Sequence, residues 1–214
     1  MCYSYEKDLK KILIKKRIFD LIISTIGFII LFPLFIILYL LIFIFSGYPV
    51  IFKQTRFGQY GKNFTIFKFR TMVVCNEKNF ISTSNDRRIT KVGGILRKLK
   101  LDEIPELLNI VKGEMSLVGP RPDMPEYIKK INENDRIILN LKPGLTGPAS
   151  LKYINEEEIL ANVPDPKWYN DNIIFPDKVR INKLYIEQWS FFLDLKIILH
   201  TIIRKPYKES NYFK

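Results

Sequence analysis

Hydrophobic and polar positions divide the chain into a long apolar segment near its N-terminus and a mixed remainder. No charged residue occurs between Leu21 and Phe45, a run longer than the roughly 20 residues that a helix needs to cross a bilayer. The run is too long for the core of a signal peptide, and no small-residue cleavage site follows it. We predict two units: residues 1–46, a basic N-terminus with a membrane helix, and residues 47–214, a globular domain.

The flanks and the middle of the apolar segment favour a helix that re-enters the membrane over one that spans it. Basic residues are frequent on both sides, at positions 7–17 and 53–70, and the positive-inside rule keeps both flanks in the cytoplasm. Pro33 lies near the middle, where it removes a helix hydrogen bond and bends the axis. Each arm of about 12 residues is too short for roughly 30 Å of hydrocarbon. The Ser24 and Thr25 hydroxyls are candidate partners for the opened backbone. An ordinary spanning helix remains the alternative.

The first part of the globular region has the pattern of a β-hairpin. Two β-rich runs, residues 50–55 and 64–72, flank a turn with two glycines. Side chains alternate along a strand, so Lys68 and Arg70 are expected on one face. Two cations on a rigid strand are suited to a diphosphate, and a solvated strand face is the alternative.

Helical periodicity dominates the rest of the chain. An apolar stripe from Val92 to Leu99 predicts a short basic helix that lies on a membrane surface or packs on the core. The next helix is predicted to begin with Asp102 as its N-cap and to stop at Gly113. Further short helices are expected at residues 125–134, at the solvated acidic run 156–158 and around 194–200. The fold class is therefore α+β and mostly helical: a re-entrant, kinked helix, then one small domain with a β-hairpin and interfacial amphipathic helices.

The charge of the chain predicts an anionic partner. Lys and Arg number 34 against 22 acidic residues, a formal net charge of +12. Phosphate groups, nucleic acid and a lipid surface all fit this excess. Cys2 and Cys75 lack metal-ligand spacing, which indicates a reducing compartment without a disulfide. The lone histidine, His200, lies in an apolar helical run and is interpreted as a packing or surface residue.

The candidate chemistry centres on the adjacent acids Asp102 and Glu103. Neighbouring carboxylates repel each other unless cations or a metal ion hold them. Such a pair can supply a nucleophile, a base and an ion ligand, although a capped helix start explains it equally simply. Arg97 lies upstream, and Arg121 lies between two prolines that restrict its backbone. This arrangement suits a phosphate clamp, and a turn with an exposed arginine is the alternative.

A series of short motifs extends the pattern over residues 15–201. They are KRIFD at 16–20, PVIF at 49–52, QTRFG at 54–58, KFRTM at 68–72, LDEIPEL at 101–107, KGEMS at 112–116, VGPRP at 118–122 and KPGLTG at 142–147. In this order and spacing the chain resembles the bacterial sugar transferase family, the small monotopic phosphoglycosyl transferases that act on polyprenyl phosphate.

This resemblance implies a reaction and a set of roles. It implies Mg²⁺-dependent transfer of a sugar-1-phosphate from a UDP-sugar to undecaprenyl phosphate, with release of UMP, as the first step of surface polysaccharide or glycoconjugate synthesis. Asp102 would be the nucleophile and carry a covalent phosphosugar. Glu103 would be the main Mg²⁺ ligand with Asp102 nearby. Phosphate or nucleotide binding would fall to the cations Lys68, Arg70, Arg97 and Arg121.

The resemblance also implies a location and partners. The domain would lie on the cytoplasmic face of the bacterial inner membrane, in contact with its lipid and not with nucleic acid, and a homo-oligomer is left open. The chain departs from the family pattern at Phe32-Pro33, where Ser-Pro is frequent, and over residues 148–153. A non-catalytic, membrane-anchored basic module that binds anionic lipid or nucleic acid is the alternative. The Asp102-Glu103 pair favours the enzyme, because binding by charge alone needs no carboxylates.

Overall fold

A computed structural model describes residues 2–74 and 86–213, and for residues 2–12 it describes the backbone alone. The helices are α1 (Cys2–Ser46), α2 (Lys91–Leu99), α3 (Glu106–Lys112), α4 (Pro148–Lys152), α5 (Glu156–Ala161), α6 (Pro166–Tyr169), α7 (Phe175–Glu187) and α8 (Phe191–Ile202). The strands are β1 (Ile51–Phe57), β2 (Asn63–Phe69), β3 (Ser116–Val118) and β4 (Gly144–Thr146). This mostly helical α+β architecture confirms the fold class in its coarse form. The polar, irregular sequence of residues 73–85 predicts a surface loop, which from Cys75 onward lies outside the described residues, as does any pairing of the two cysteines.

The apolar segment forms the second half of a 45-residue helix, α1, which continues through Pro33. Among the described residues, Leu13–Ser46 is the helix long and apolar enough to cross a membrane. One side of it packs on the domain, while much of the other, such as Ile30 and Ile44, is exposed. The Ser24 hydroxyl donates to the carbonyl of Leu21 at 3.3 Å rather than to the backbone opened by Pro33.

A buried ion pair fastens the N-terminal part of α1 to the domain. The Lys16 ammonium donates to Asp194 Oδ2 at 2.5 Å, and the Tyr185 hydroxyl donates to Asp194 Oδ1 at the same distance. Lys16 and Asp194 are 5% and 1% exposed. A charge this deeply buried is stable only with its partner in place, so the pair holds α1 against α7 and α8.

Two arginines make further attachments at opposite ends of the apolar segment. The Arg17 guanidinium donates to the carbonyls of Ile110 and Val111 at 2.5 and 2.8 Å, and so caps the C-terminal end of α3. The Arg70 guanidinium donates to the carbonyls of Ser46 and Gly47, at the C-terminal end of α1. Both ends of the membrane helix are therefore bonded to the same domain.

The β-hairpin is confirmed, with strands that differ slightly from the predicted bounds. β1 and β2 are antiparallel, in a register that pairs Ile51 with Phe69 and Phe57 with Asn63. Arg70 directly follows β2, and its amide still donates to the carbonyl of Val50 at 2.9 Å. Its guanidinium binds the carbonyls of Ser46 and Gly47 at the end of α1, and a joint contact of Lys68 and Arg70 with a diphosphate stays a prediction.

A second, parallel strand pair was not predicted. The two loops rich in proline and glycine form β3 and β4, which pair Ser116 with Gly144 and Val118 with Thr146. The backbones approach so closely that a Cβ atom at Gly119 would lie 2.4 Å from the carbonyl oxygen of Lys142. A Cβ atom at Gly144 would lie 2.1 Å from the amide nitrogen of Gly119. These glycines are therefore required for the contact between the two loops.

The start of α3 differs from the prediction. Asp102 lies in a 3-10 turn, Leu101–Glu103, and its side chain caps no helix; Pro105 occupies the N-cap position of α3. Lys100, with φ of 58°, turns the chain sharply out of α2 and sets this geometry. The stop at Gly113 is confirmed, since Gly113 adopts φ of 88°. The predicted polar helix at 125–134 is instead two 3-10 segments, Pro125–Lys130 and Glu133–Asn140.

The C-terminal helix agrees with the expectation for its length and its histidine. Helix α8 has 12 residues and is capped by Ser190, whose hydroxyl accepts from the amide of Leu193 at 3.1 Å. His200 is buried, and its Nδ1 lies 2.6 Å from the Tyr212 hydroxyl. The contact packs Tyr212, near the C-terminal end of the chain, against α8.

Replacement of Lys16 by methionine is expected to destabilise the protein by about 3–5 kcal/mol, because Asp194 would remain buried and negatively charged without its cation. The measurement is the thermal unfolding midpoint in detergent. The matched control is Lys15→Met, which alters an exposed lysine at the next position. Equal unfolding midpoints for the two variants would show that the ion pair does not hold the helix.

Candidate active site

One carboxylate, Glu103, is held by two cations from distant parts of the chain. Lys68 Nζ on β2 donates to Glu103 Oε1 at 2.9 Å, and Arg121 Nη2 donates to the same oxygen at 2.9 Å. The Glu103 side chain is 11% exposed, so these bonds are screened little by solvent. Three of the predicted site residues therefore lie together.

Besides Asp102 and Glu103, a third carboxylate, Glu106, lies beside Lys68 and was not predicted. Glu106 Oε1 lies 3.1 Å from Lys68 Nζ, and the Glu106 side chain is 3% exposed. Its spacing of three residues from Glu103 at the start of α3 was the signal available in the sequence, since side chains three apart on a helix are neighbours.

Buried polar contacts fix the elements that carry these groups. Asn109 on α3 accepts from the amide of Phe67 at 3.1 Å and donates to the carbonyl of Thr65 at 2.7 Å. These bonds hold α3 against β2 and so set Lys68 beside the carboxylates. On the other side, the carbonyl of Pro120 accepts from the amide of Gly144 at 2.7 Å, which anchors the loop that carries Arg121.

The charges shift the acidities of the cluster in opposite directions. Burial opposes ionisation of Glu103, but the charges of Lys68 and Arg121 outweigh it and hold the pKa of Glu103 well below its usual value. Burial raises the pKa of Glu106 to about 7; Lys68 opposes the rise and the neighbouring Glu103 charge adds to it. Glu103 therefore carries the charge, while Glu106 readily holds a proton.

Asp102 differs from Glu103 because no cation among the described residues is bonded to it. It is 8% exposed, and no described residue donates a hydrogen bond to its buried Oδ1. Burial raises its pKa, whereas the charge of Lys68 opposes this. Asp102 does not itself line the adjacent cavity, but its neighbours Lys100 and Glu103 do.

The remaining predicted cations are not bonded to the carboxylate cluster. Arg97 lines the cavity, but its guanidinium is paired with Glu157 on α5. Arg70, as described above, binds the end of α1. Lys178 on α7 is a cavity cation that sequence reasoning missed, because nothing in the local pattern distinguishes it from a surface lysine.

A cavity of about 1730 Å³ connects the cluster with two different surroundings. Lys68, Glu103, Glu106 and Arg121 line its wall. One side reaches the membrane helix and α8 and is lined by apolar and basic groups, namely Leu31, Ile198, Ile202, Arg204 and Lys205. The other side is polar and is formed by α5, α7 and the segment before α5.

The segment that departs from the family pattern lies at this polar side. Ser150, Leu151 and Tyr153 line the cavity. The acidic run 156–158 does begin a helix, as expected, but it is not simply solvated. Glu156 accepts from Lys178 and Glu157 pairs with Arg97, because α5 folds back over the cavity.

The donor set is chemically compatible with Mg²⁺. Within the described residues, no group of three or more His, Cys, Asp or Glu side chains is arranged to hold a metal ion. Mg²⁺ in phosphoryl-transfer sites needs only one or two carboxylates, with substrate phosphates and water as its other ligands. The buried Oδ1 of Asp102, to which no described residue donates a hydrogen bond, and the carboxylate of Glu103 meet that need.

The cavity has buried carboxylates beside fixed cations and lies next to the long apolar helix. These features suit a site for an anionic substrate. The whole-chain comparison specifies its class. The chain matches the bacterial sugar transferase family over residues 10–205 and belongs to that family. It is therefore a transferase, and the alternative of a non-catalytic module is set aside.

Individual relatives agree with this assignment. The chain is 36% identical over 195 residues to an uncharacterized sugar transferase, EpsL, of Bacillus subtilis (strain 168), which covers 89% of this chain and 86% of the relative. It is 32% identical over 204 residues to the exopolysaccharide production protein ExoY of Rhizobium meliloti (strain 1021), with 87% and 83% covered. It is 34% identical over 207 residues to the UDP-glucose:undecaprenyl-phosphate glucose-1-phosphate transferase of Klebsiella pneumoniae. That match covers 92% of this chain but 41% of the relative.

The raised pKa of Glu106 predicts a pH-dependent stability. The pKa of Glu106 in the folded protein, about 7, lies above the ordinary value of 4.5. Its contribution to the free energy of unfolding is therefore complete below pH 4.5 and is lost as the pH rises through 7. Between pH 5 and pH 8 the unaltered protein should lose stability of the order of 3 kcal/mol because of this group. Glu106→Gln should abolish that loss. Unfolding midpoints at both pH values, in EDTA and without substrate, measure this.

The control for this experiment is Glu133→Gln, which alters an exposed carboxylate outside the cluster. It should leave the pH dependence of the unfolding midpoint as in the unaltered protein. If Glu106→Gln also leaves it unchanged, Glu106 is ionised at pH 5 and the proposed acidity is wrong.

Proposed function

We propose that the protein transfers a sugar-1-phosphate from a UDP-sugar to undecaprenyl phosphate, with release of UMP, as an initiating step of surface polysaccharide or glycoconjugate synthesis. The observation that carries this proposal is the cluster of Glu103, Lys68 and Arg121 on the wall of a cavity that also reaches the membrane helix. Two anionic substrates, one soluble and one in the membrane, both need cations at such a boundary. The names of the relatives above support the same reaction.

The proposed reaction has two displacement steps at one phosphorus atom. A carboxylate oxygen of Asp102 attacks the phosphorus that carries the sugar, and the bond from that phosphorus to the bridging oxygen breaks, so that UMP leaves with the oxygen. A phosphate oxygen of the lipid then attacks the same phosphorus. The bond to Asp102 breaks, the carboxylate is restored and the lipid diphosphate-sugar is released.

The surroundings of the two acids support Asp102 rather than Glu103 as the nucleophile. Glu103 Oε1 is occupied by two cations, which lowers its basicity, whereas no described residue donates a hydrogen bond to Asp102 Oδ1. Higher basicity favours attack on phosphorus once the carboxylate is ionised. Lys68 favours that ionised form through its charge. The family resemblance assigns the same role.

The remaining residues hold charge in place during both steps. Lys68 and Arg121 lie where negative charge builds up on the phosphoryl oxygens and are already fixed by Glu103. Arg97 would exchange Glu157 for a substrate phosphate. Arg70 acts indirectly in this scheme, through the end of α1. Glu103 with Asp102 would hold Mg²⁺, which neutralises diphosphate charge and polarises the phosphoryl group.

We also propose that α1 re-enters the membrane instead of spanning it. The Lys16–Asp194 pair at one end and the Arg70 contacts at the other attach both ends to one domain, which supports a single side. Exposed apolar side chains on α2 and α8, such as Leu99 and Phe192, support contact of that domain with the lipid surface. The basic flanks favour the cytoplasmic face of the inner membrane.

The activity is tested with detergent-solubilised protein, Mg²⁺, undecaprenyl phosphate and a panel of UDP-sugars, with UMP release as the readout. Asp102→Asn should reduce UMP release by roughly three orders of magnitude or more, because an amide is not a nucleophile here. Intact-mass analysis with donor alone should detect a phosphosugar on the unaltered protein and none on this variant.

Two further variants make that result specific. Asp165→Asn, an exposed helix cap outside the cavity, should retain full activity, because asparagine caps a helix equally well. Glu103→Gln should turn over slowly but still form the covalent adduct. An adduct on Asp102→Asn that is missing from Glu103→Gln would move the nucleophile to Glu103. No UMP release from any donor would refute the reaction.

The membrane topology is tested with single cysteines at Lys15 and Lys62, one on each side of the apolar segment, in a background without Cys2 and Cys75. An impermeant thiol reagent should label both positions from the cytoplasmic side of oriented membrane vesicles, since both ends of α1 are held by one domain. Labelling of the two positions from opposite sides would establish a spanning helix.

A further inference from the structure

A second ion pair lines the cavity at its polar side, away from the membrane helix. Lys178 Nζ on α7 donates to both carboxylate oxygens of Glu156 on α5, at 2.8 and 2.7 Å. The Lys178 side chain is only 8% exposed, and both residues line the cavity. The pair therefore offers hydrogen-bond donors and acceptors to anything that fills this part of the cavity.

The pair lines the same cavity as Arg121, and the charges of the two groups interact. The Glu156 charge is among those that raise the pKa of Arg121, after the larger effect of Glu103. Burial raises the pKa of Asp123, and the charge of Lys178 opposes this. The Glu103–Arg121 pair and the Glu156–Lys178 pair are thus two charged parts of one cavity wall.

Other polar residues line the same cavity as the pair. Ser150 lines the cavity, and no described residue forms a hydrogen bond with its buried hydroxyl. The amide side chain of Asn155 also lines this side. Attachment of α7 does not depend on the pair alone, because Lys152 on α4 pairs with Asp177 at 2.6 Å on the outside of the molecule.

The connectivity of a nucleotide-sugar indicates which part of the donor meets these groups. The sugar is bonded directly to the phosphate that carries the attacked phosphorus, whereas uridine is separated from it by a second phosphate and a ribose. Polar wall groups next to the phosphate-binding Arg121 are therefore the nearest partners for sugar hydroxyls. Charged groups give the strongest hydrogen bonds to such hydroxyls.

We propose that Glu156 and Lys178 form the sugar-binding subsite and determine which neutral hexose the enzyme accepts. This inference rests on the proposed function. Lys178 donates to a sugar hydroxyl, and Glu156 accepts from the next one. The carboxylates of Glu157 and Glu158 beside the pair disfavour a sugar that carries its own carboxylate, because like charges repel.

The test is the ratio of kcat/KM between UDP-glucose, UDP-galactose, UDP-N-acetylglucosamine and UDP-glucuronic acid. Glu156→Gln and Lys178→Met should each change the ratio between the best and second-best neutral sugars by roughly tenfold or more. Inhibition by UMP, which has no sugar, should stay within about twofold of the unaltered enzyme. Lys152→Met, which breaks the outer pair with Asp177, is the matched control and should leave the sugar ratio unchanged.

A charge-exchanged double variant, Glu156→Lys with Lys178→Glu, separates recognition from folding. A purely structural ion pair tolerates the exchange and keeps the sugar ratio, whereas a sugar subsite has its donor and acceptor interchanged and changes the ratio. An unchanged ratio, or an equal fall for every sugar, in the single and double variants would overturn the subsite while the transferase reaction stands. No UMP release by the unaltered enzyme from any donor would instead overturn the reaction and the subsite together.

Discussion

The attachment of the long N-terminal helix to the domain at both ends of its apolar segment is the constraint on which the rest of the structure depends. The Lys16–Asp194 pair is buried too deeply to separate without leaving an isolated charge, so the helix has one position against the domain. Arg17 on the same turn binds the last carbonyls of α3. The long apolar helix therefore also positions α3, the helix that carries Glu106 and follows Glu103.

In the candidate active site, two cations share one ionised carboxylate, and the other two buried carboxyl groups have raised pKa values. Lys68 and Arg121 both bind one oxygen of Glu103, while Glu106 and Asp102 are kept buried with raised pKa values. Such an arrangement is unfavourable for the folded protein alone, since buried carboxylates lose hydration. Functional sites commonly carry this kind of cost. Anionic phosphate bound with a divalent cation would satisfy both the cations and the free carboxylate oxygens.

Predictions from the sequence succeeded where one local pattern decides the outcome and failed where distant segments compete for the same group. The apolar helix, the hairpin and the stop at Gly113 follow from local periodicity and turn chemistry and were confirmed. Arg70 was expected to bind phosphate together with Lys68, and its guanidinium contacts the carbonyls at the end of α1. The pairing of β3 with β4 was missed because each strand has three residues, too few to give a periodic pattern in the sequence.

The sequence by itself determined the membrane-associated class of the protein, its family and the short stretch around Asp102 and Glu103, because these depend on contiguous apolar residues and on ordered motifs. The tertiary structure alone decided which cations reach Glu103, that Glu106 joins them, and that Glu156 binds Lys178 on the cavity wall. Lys68 and Glu103 are 35 positions apart, and Glu156 and Lys178 are 22 apart. The attraction between charges depends on their distance in space, which is set by the packing of the backbone. Spacing along the sequence does not give that distance.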